Sequence, residues 1–340
     1  MMNKRLKQGS TFLLAVALTF PLLTLPGAKA ASAINTGQKC SIEFDISGNS
    51  SELLSASIPV NLYKVASVDE SGNYTGIGAF SKLDLSSVSA DNLDAAAATW
   101  AERAKEAQGK LTDSEGNTVV DPTETVTLQN GRGYQDKLDT GLYLVDTPKV
   151  ITTNYTYTFT PYLVSLPTNN YYNNDQTSDD WIYDLTKEYN SAVGLKPEEH
   201  ARYGDLKINK TLAHHNATTG KKATFVFKIE ITPLKGKTET RIESLDFEAA
   251  GDSSVTITKI PAGATVTVKE EYSGASYKLT SANDQNATIV ATDRGAKVDP
   301  ASVSFTNDID NNMNGGYGVK NNFKLDENGQ YQYTEPAEKN

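Results

Sequence analysis

The amino-acid sequence predicts a mainly β protein made of two tandem β-sandwich domains, the first with one inserted helix. Short segments rich in β-branched and aromatic residues recur along the chain, separated by Gly, Asn, Asp and Pro. In the C-terminal half these turn signals recur at roughly the 8–12-residue spacing typical of sandwiches. Only residues 89–108 have a pronounced helical period.

The N-terminus has the features of a secretory signal peptide over residues 1–30. A basic start precedes the apolar stretch TFLLAVALTF, and the sequence AKA supplies a small-x-small cleavage pattern. A membrane anchor is the alternative, but Pro21, Pro26 and Gly27 interrupt the stretch well short of about 20 apolar residues. We therefore expect export, and no membrane span in the mature chain.

The composition and net charge limit the classes of partner that the protein is expected to bind. The formal net charge of the 340 residues is −10, and the signal removes four basic residues and no acid, which leaves −14. An acidic protein with dispersed charges does not favour nucleic acid or anionic lipid. The single cysteine, Cys40, cannot form an intramolecular disulfide, so stabilisation must come from elsewhere, and its simplest role is a small residue opening a strand.

The first predicted domain covers residues 34–190. Its helix, 89–108, has a Ser/Asp start, four consecutive alanines and Gly109 after its end. Its predicted strands are CSIEFDI, ASIPVNLYKVA, TVTLQ, GLYLVDT and YTYTFTPYLVSLP.

A linker is predicted at 191–203, a second β-domain at 204–310 and a flexible polar tail at 311–340. The strands predicted for the second domain are DLKINKTL, ATFVFKIEIT, RIESLDFEA, SVTITKI, ATVTVKEEY, YKLTSA, ATIVAT and VSFTN.

Three polar residues occupy inward positions in the second domain. Lys210 continues the alternating row of Leu206 and Ile208, and Glu270 and Asn307 continue similar rows in TVTVKE and VSFTN. These residue types are rarely buried, and an ordinary sandwich gains nothing by burying three together. Their placement calls for a chemical explanation.

An amine, a carboxyl group and a carboxamide can undergo amide exchange, which forms an isopeptide bond and releases ammonia. Burial would supply a neutral Lys210 amine and a protonated Glu270. A bond between Lys210 and Asn307 would close a loop of 307 − 210 = 97 residues. A disulfide across about 100 residues contributes roughly 4.7 kcal/mol in the chain-entropy model. The reaction occurs once per chain, so the protein is not expected to be an enzyme.

The alternative is that these residues lie at the surface, because a one-residue shift in strand register reverses every side chain. Glu271 is then the substitute acid and Lys207 the substitute amine, although both have outward parity. Agreement among three segments at the beginning, middle and end of one domain favours the buried arrangement.

The region that contains LKINKTL, TFVFKIEI, KIPAGATVTVKEE and VSFTNDI resembles the isopeptide-forming, CnaB-type domains of Gram-positive surface pilins. The resemblance implies an immunoglobulin-like sandwich in which Lys210 and Asn307 are cross-linked and Glu270 assists. The N-terminal region resembles the first domain of such pilins through IPVNLYKVA, TGLYLVDT and YTFTPYLVSLP followed by WIYDLT. Together the two resemblances cover nearly the whole mature chain.

Two departures from the pilin pattern concern lysines. The first domain of these pilins often carries a lysine late in its first strand, where this chain has Ile46, so no isopeptide bond is expected there. The polymerising lysine of the family follows a tryptophan, but Asn190 occupies the corresponding position after Trp181. Lys187 and Lys196 are the candidate substitutes.

A third departure concerns the cell-wall anchor. The sequence ends at Asn340 without an LPxTG-like signal. Three explanations stay open: the sequence is truncated, the subunit joins its fibre without sortase, or the protein is secreted.

Other chemistry finds little support. The adjacent His214 and His215 lie in the polar segment AHHNATTG, and His200 is the remaining histidine. A metal site would need another converging ligand, so a solvated loop is the simpler interpretation, and neither metal nor cofactor is expected. No phosphate-binding loop or nucleophile motif is present.

The sequence therefore predicts a structural subunit of a pilus, fimbria or related surface fibre, with other pilin subunits and sortase as partners. The alternative is a secreted or surface-attached adhesin that binds a host or glycan ligand.

Overall fold

The chain divides into two units, Met1–Ala201 and Arg202–Asn340, in a computed structural model. The structure describes residues 32–90, 97–169, 181–186, 193–216, 222–274, 276–292, 298–310, 322–325 and 331–334. The signal peptide predicted at 1–30 lies outside these ranges. The predicted fold class is confirmed, because both units are built mainly of β-sheets.

Unit 1 contains short helices among many strands. Its helices are α1 Ser51–Leu54, the 3₁₀ turn Gly78–Phe80, and α2 Ala97–Gln108. Its strands are β1 Cys40–Asp45, β2 Ile58–Val68, β3 Tyr74–Gly76, β4 Glu124–Leu128, β5 Arg132–Leu138, β6 Gly141–Asp146, β7 Val150–Ile151, β8 Tyr155–Phe159, β9 Tyr162–Leu166, β10 Thr168–Asn169, β11 Trp181–Ile182, β12 Asp184–Leu185 and β13 Pro197–Ala201.

The long strand β2 organises the main sheet of unit 1. That sheet has the order β3-β2-β6-β9, and β4 also pairs with β2. Separate sheets have the orders β12-β1-β5 and β13-β8-β7, and β10 pairs with β11. Helix α2 packs against β6 and β9, where Ala104 and Ala107 are fully buried with Leu142 and Leu144. Within the described residues no helix has the length and apolarity needed to cross a membrane.

The predicted helix start at residue 89 is wrong. Ser89 forms an isolated antiparallel bridge with Asn73, and the Ala90 N–H donates to the Gly72 carbonyl at 2.9 Å. These backbone bonds hold the segment extended, and the described helix begins at Ala97. Part of the predicted helix, 91–96, lies outside the described residues.

Several strands of unit 1 differ from the sequence prediction: YTYTFTPYLVSLP forms two strands, β8 and β9, in different sheets, and several short or polar strands were not predicted. Residues Pro197–Ala201 were expected in a linker, but they form β13, which pairs with β8 from Pro197↔Phe159 to Ala201↔Tyr155. The edge position explains both the charged residues and the proline, since an edge strand needs only one set of backbone bonds. The polar strand β5 was not predicted; it pairs with β1, and only its last residue, Leu138, is buried.

Unit 2 is a sandwich of two four-stranded sheets. Their orders are β17-β14-β21-β19 and β16-β15-β18-β20. Each predicted strand overlaps an observed one, although ATIVAT overlaps β20 only at its first two residues. The strands are β14 Tyr203–Leu212, β15 Ala223–Thr232, β16 Glu239–Phe247, β17 Gly251–Pro261, β18 Thr265–Tyr272, β19 Tyr277–Leu279, β20 Gln285–Thr288 and β21 Ala301–Ile309.

The first and last strands of the sandwich are parallel neighbours. β14 and β21 pair from Leu206↔Ala301 to Leu212↔Asn307. At the start of β14 the backbone passes close to Val290, where a Cβ on Gly204 would lie 1.8 Å from the Val290 carbonyl oxygen. Only glycine allows this approach without movement of the neighbouring backbone.

Within the predicted polar tail the structure describes a hairpin. β22 Asn322–Leu325 pairs with β23 Tyr331–Thr334 in antiparallel register. The sequence predicts a flexible polar tail here, and these two segments of it form paired strands. The remaining residues of 311–340 lie outside the described ranges.

Candidate functional site

The core of unit 2 contains three polar side chains that the alternation of apolar residues places inward. Lys210 is 1% exposed, Glu270 5% and Asn307 0%. They lie on β14, β18 and β21 respectively. Their neighbours in the core are mainly Leu, Ile, Val and Phe.

The strand register explains how residues so far apart in sequence meet. Lys210 is opposite Phe305, and Asn307 is opposite Leu212, on the adjacent parallel strands β14 and β21. Lys210 and Asn307 are thus diagonal neighbours on the inner face of one sheet. Glu270 reaches them from β18 in the other sheet.

The carboxamide of Asn307 lies between the amine and the carboxyl group. Lys210 Nζ donates to Asn307 Oδ1 at 2.8 Å. Asn307 Nδ2 donates to Glu270 Oε1 at 2.6 Å. The amine is 3.9 Å from Glu270 Oε2, and it also donates to the Thr211 carbonyl at 2.9 Å. The carboxamide is therefore in direct contact with both the amine and the carboxyl group.

A β-bulge lies immediately beside the acid. Phe227 pairs with Glu270, whereas the preceding residue of β15, Val226, pairs with Tyr272. Glu271 is therefore the extra, unpaired residue of β18, and it is exposed. Such bulges redirect neighbouring side chains. The two substitutes weighed from the sequence, Glu271 and Lys207, both lie outside the contact described above.

An aromatic ring, itself packed against two others, lies beside the amine. Lys210 Nζ lies 4.4 Å from the centroid of the Phe225 ring. Phe225 packs against Phe247 and Tyr277, each with a centroid distance of 5.6 Å. The rings keep water away from the amine, and this desolvation disfavours its charged form.

Burial shifts the pKa of each ionisable group in the direction that favours its uncharged form. It lowers the pKa of Lys210 from 10.5 to about 8, against the opposing attraction of Glu270. It raises the pKa of Glu270, against the hydrogen bonds of Asn307 and Ser273 and the charge of Lys210. Glu270 Oε2 is buried and has no hydrogen-bond partner among the described residues. A buried carboxylate would have no hydrogen bond at that oxygen and only the amine at 3.9 Å to offset its charge, so the neutral acid fits the site better.

Sequence reasoning missed the contacts that support Glu270. Its N–H donates to Asn283 Oδ1 at 2.8 Å. Asn283 is exposed and lies between β19 and β20, where no periodic pattern marks it. The bulge at Glu271 has no glycine or other recognisable signal. Both features depend on how β18 meets its neighbours.

The other sequence candidates are not part of this cluster. Lys196 is exposed next to β13, while Lys187 and Asn190 lie outside the described residues. Ile46 is buried in the core of unit 1, and Cys40 is buried at the start of β1, where burial raises its thiol pKa to about 12.

The histidines also lie apart from the cluster. His214 is exposed and 2.8 Å from Asp308, and His200 lies 3.6 Å from Glu198. Across the described ranges, no three His, Cys, Asp or Glu side chains are grouped so that they could hold a metal ion.

Sequence comparison with known families matches part of unit 2. Residues 206–310 match a family described as a domain of unknown function (DUF5979). This match spans the strands that carry Lys210, Glu270 and Asn307. No curated protein sequence matches the chain.

Solved structures of Gram-positive pilins are similar to the chain. A streptococcal ancillary pilin has 12% identity and a TM-score of 0.24, with 79% of this chain and 62% of that chain covered. The minor pilin GBS52 from Streptococcus agalactiae has 14% identity, a TM-score of 0.22 and coverage of 78% and 87%. The major pilin SpaD from Corynebacterium diphtheriae has 12% identity, a TM-score of 0.24 and coverage of 82% and 99%. The chain thus spans less than two thirds of the ancillary pilin.

Proposed function

We propose that unit 2 forms an intramolecular isopeptide bond between Lys210 and Asn307, with Glu270 as the proton-transfer group. The observation that carries the proposal is the position of one carboxamide between an amine at 2.8 Å and a carboxyl oxygen at 2.6 Å. In a core 0–5% exposed, this arrangement has no stabilising purpose that an apolar set would not serve as well.

The reaction balances without any external reactant. The lone pair of neutral Lys210 Nζ attacks Asn307 Cγ, while protonated Glu270 donates to the carboxamide. A proton from the attacking nitrogen then moves through Glu270 to Nδ2. The Cγ–Nδ2 bond breaks, ammonia leaves, and Glu270 regains its proton. One C–N bond forms and one breaks, so no oxidant or metal is required.

The fold supplies the catalytic power. Neighbouring strands hold the amine against the amide, which replaces a bimolecular encounter by an intramolecular one. Burial raises the fraction of neutral amine and protonated acid at neutral pH. The Lys210 amine and the Asn307 carboxamide are consumed in a single turnover. The protein is therefore a self-modifying structural element and not an enzyme.

The bond suits a subunit of an extracellular fibre. It would join the first and last strands of the sandwich, so tension that enters one strand would leave through the other without unfolding the unit. We therefore propose that the protein is a pilin or related surface-fibre subunit, exported by residues 1–30. The resemblance of both halves of the sequence to pilin domains supports this role.

Attachment to neighbouring subunits would need a reactive amine at the surface. Lys196 is exposed, and Lys187 is the second candidate from the sequence. If sortase joins the subunits, wall fractions of cells that express the protein will contain a ladder of covalent polymers. Lys187→Arg and Lys196→Arg test each lysine separately, since arginine keeps the charge and removes the primary amine. A single monomer band from wild-type cells would contradict the polymerised subunit.

The cross-link has its own test, independent of polymerisation. Proteolysis of the folded and then denatured protein, followed by tandem mass spectrometry, is expected to give a branched peptide that joins the segments around Lys210 and Asn307. Recovery of both segments only as separate linear peptides would contradict the bond.

A further inference from the structure

We propose that the segment 280–285, here called the 280–285 loop, positions Glu270 for isopeptide formation, with Asn283 as the residue that holds its backbone. The inference rests on the proposed Lys210–Asn307 reaction. It concerns a residue outside the reacting trio, one that touches neither the amine nor the carboxamide.

Glu270 lies on β18 beyond the end of its pairing with β20. β18 pairs with β20 from Thr265↔Thr288 to Val268↔Gln285, where the ladder ends. Glu270 lies two residues beyond that end, and the bulge at Glu271 follows at once. At Glu270, β18 therefore has no backbone pairing with β20.

Asn283 supplies the missing bond. The Glu270 N–H donates to Asn283 Oδ1 at 2.8 Å, which replaces the backbone carbonyl that a longer β20 would provide. The acceptor belongs to a side chain, so it can be removed by substitution without changing any strand. The Glu270 side chain has its own short contact, 2.6 Å from Oε1 to Asn307 Nδ2.

The same loop is bonded to the strand that carries Asn307. The N–H and hydroxyl of Thr280 donate to the Thr306 carbonyl at 2.8 and 2.9 Å. The Thr306 N–H donates to Ser281 Oγ at 3.1 Å. The Ser304 N–H donates to Gln285 Oε1 at 3.0 Å, and Gln285 Nε2 donates back to the Ser304 carbonyl.

The 280–285 loop thus joins β18 and β21, which belong to different sheets. Through Asn283 it holds the acid, and through Thr280, Ser281 and Gln285 it holds the strand of Asn307. The separation between the carboxyl group and the carboxamide is consequently fixed by polar bonds as well as by core packing. A displacement of about 1 Å in such a site can slow a reaction by about 100-fold.

The chain offers a matched control. Asn286 is also exposed and lies on β20, where its Oδ1 accepts from the Thr267 hydroxyl at 2.7 Å. Like Asn283 it bonds β18, but it bonds a side chain and not the backbone of Glu270. Asn286→Ala therefore removes a comparable hydrogen bond and leaves the acid in place.

The test starts from the full chain isolated unfolded and unreacted from inclusion bodies, with its full sequence mass; the chain is then refolded and sampled over time by intact-mass spectrometry for loss of ammonia. We expect Asn283→Ala to slow the loss by at least about tenfold, and Asn286→Ala to change it by less than about twofold. Asn283→Asp keeps an acceptor oxygen and is expected to restore most of the rate. Refolding rates and stabilities are measured for both alanine variants in a Lys210→Met background, where no bond forms.

The pH profile separates positioning from general destabilisation. If Asn283→Ala lets Glu270 move toward solvent, its pKa falls, and the acid limb of the rate profile shifts to lower pH while the maximum drops. Loss of stability alone would leave that limb unmoved.

The outcomes distinguish the two proposals. A wild-type chain that never loses ammonia overturns the proposed reaction. A wild-type chain that reacts, with Asn283→Ala reacting equally fast, overturns the positioning role alone. Equal slowing by Asn283→Ala and Asn286→Ala, with an unchanged pH profile, also overturns it.

Discussion

Lys210 and Asn307 are 97 residues apart in sequence, yet Lys210 Nζ donates to Asn307 Oδ1 at 2.8 Å. They meet because the first and last strands of the sandwich are adjacent and parallel, with Lys210 opposite Phe305 and Asn307 opposite Leu212. A bond at this point would close most of the sandwich, from β14 to β21, into one covalent loop.

The stability of unit 2 should fall markedly when the bond cannot form. Lys210→Met keeps most of the side-chain volume and removes the amine. Closing a loop of about 100 residues contributes roughly 4.7 kcal/mol to the free energy of unfolding, so a loss of about 4–5 kcal/mol is expected. Denaturant unfolding measures it. Lys207→Met, on the outward side of the same strand, is the control and should change the value by less than about 0.5 kcal/mol.

Mechanical unfolding should show that the segment between Lys210 and Asn307 is protected from tension. Tension applied at the N-terminal end of β14 and the C-terminal end of β21 shears two parallel strands. With the bond in place, force passes from Lys210 to Asn307 and the 97 residues between them do not extend. Lys210→Met should therefore lengthen the extension of unit 2 in single-molecule pulling by roughly 340 Å, at about 3.5 Å per residue. Equal extensions would contradict the bond.

The rate of bond formation should have a bell-shaped dependence on pH. Reaction needs one proton on the pair, with Lys210 neutral and Glu270 protonated. Below the raised pKa of Glu270 both groups are protonated, and above the Lys210 pKa of about 8 both lose their protons. The rate should therefore fall on both sides. Refolding of the unreacted, full-mass chain in buffers of different pH, followed by mass spectrometry, tests this; a rate that still rises above pH 9 would exclude an acid role for Glu270.

An unreacted Lys210 should make stability depend on pH. In Glu270→Gln, proton transfer is blocked and burial still lowers the pKa of Lys210 from 10.5 toward 8. Between these two pKa values the unfolded chain binds more protons than the folded chain. The free energy of unfolding of unit 2 therefore rises with pH across that interval. At about 1.4 kcal/mol for each pH unit, the rise is roughly 3 kcal/mol. Glu270→Gln with Lys210→Met should lack this rise in denaturant unfolding.

Strand alternation accounts for the part of the site that the sequence predicts. Each of Lys210, Glu270 and Asn307 continues a two-residue apolar period, and a buried face fixes the register of that period. The contacts of Asn283 were unpredictable because they depend on where β20 stops and where β18 bulges. Neither event leaves a periodic pattern.

Two strands that could not be predicted from the sequence, β5 and β13, lie at sheet edges. β5 and β13 carry polar and charged residues, and their strand conformation comes from backbone bonds to β1 and β8. Their side chains therefore show little apolar alternation. The predicted helix start was wrong for a related reason. Serine is a favoured helix N-cap, but Ser89 is held by a bridge to Asn73, a partner 16 residues earlier.

The most direct test of the central claim is the intact mass of the folded mature protein. The cross-linked chain should be lighter than its sequence by the mass of one ammonia, and this difference should persist after denaturation. Lys210→Met, Glu270→Gln and Asn307→Ala should each have the full sequence mass, and Lys207→Met should retain the deficit. A wild-type protein with the full sequence mass would contradict the account.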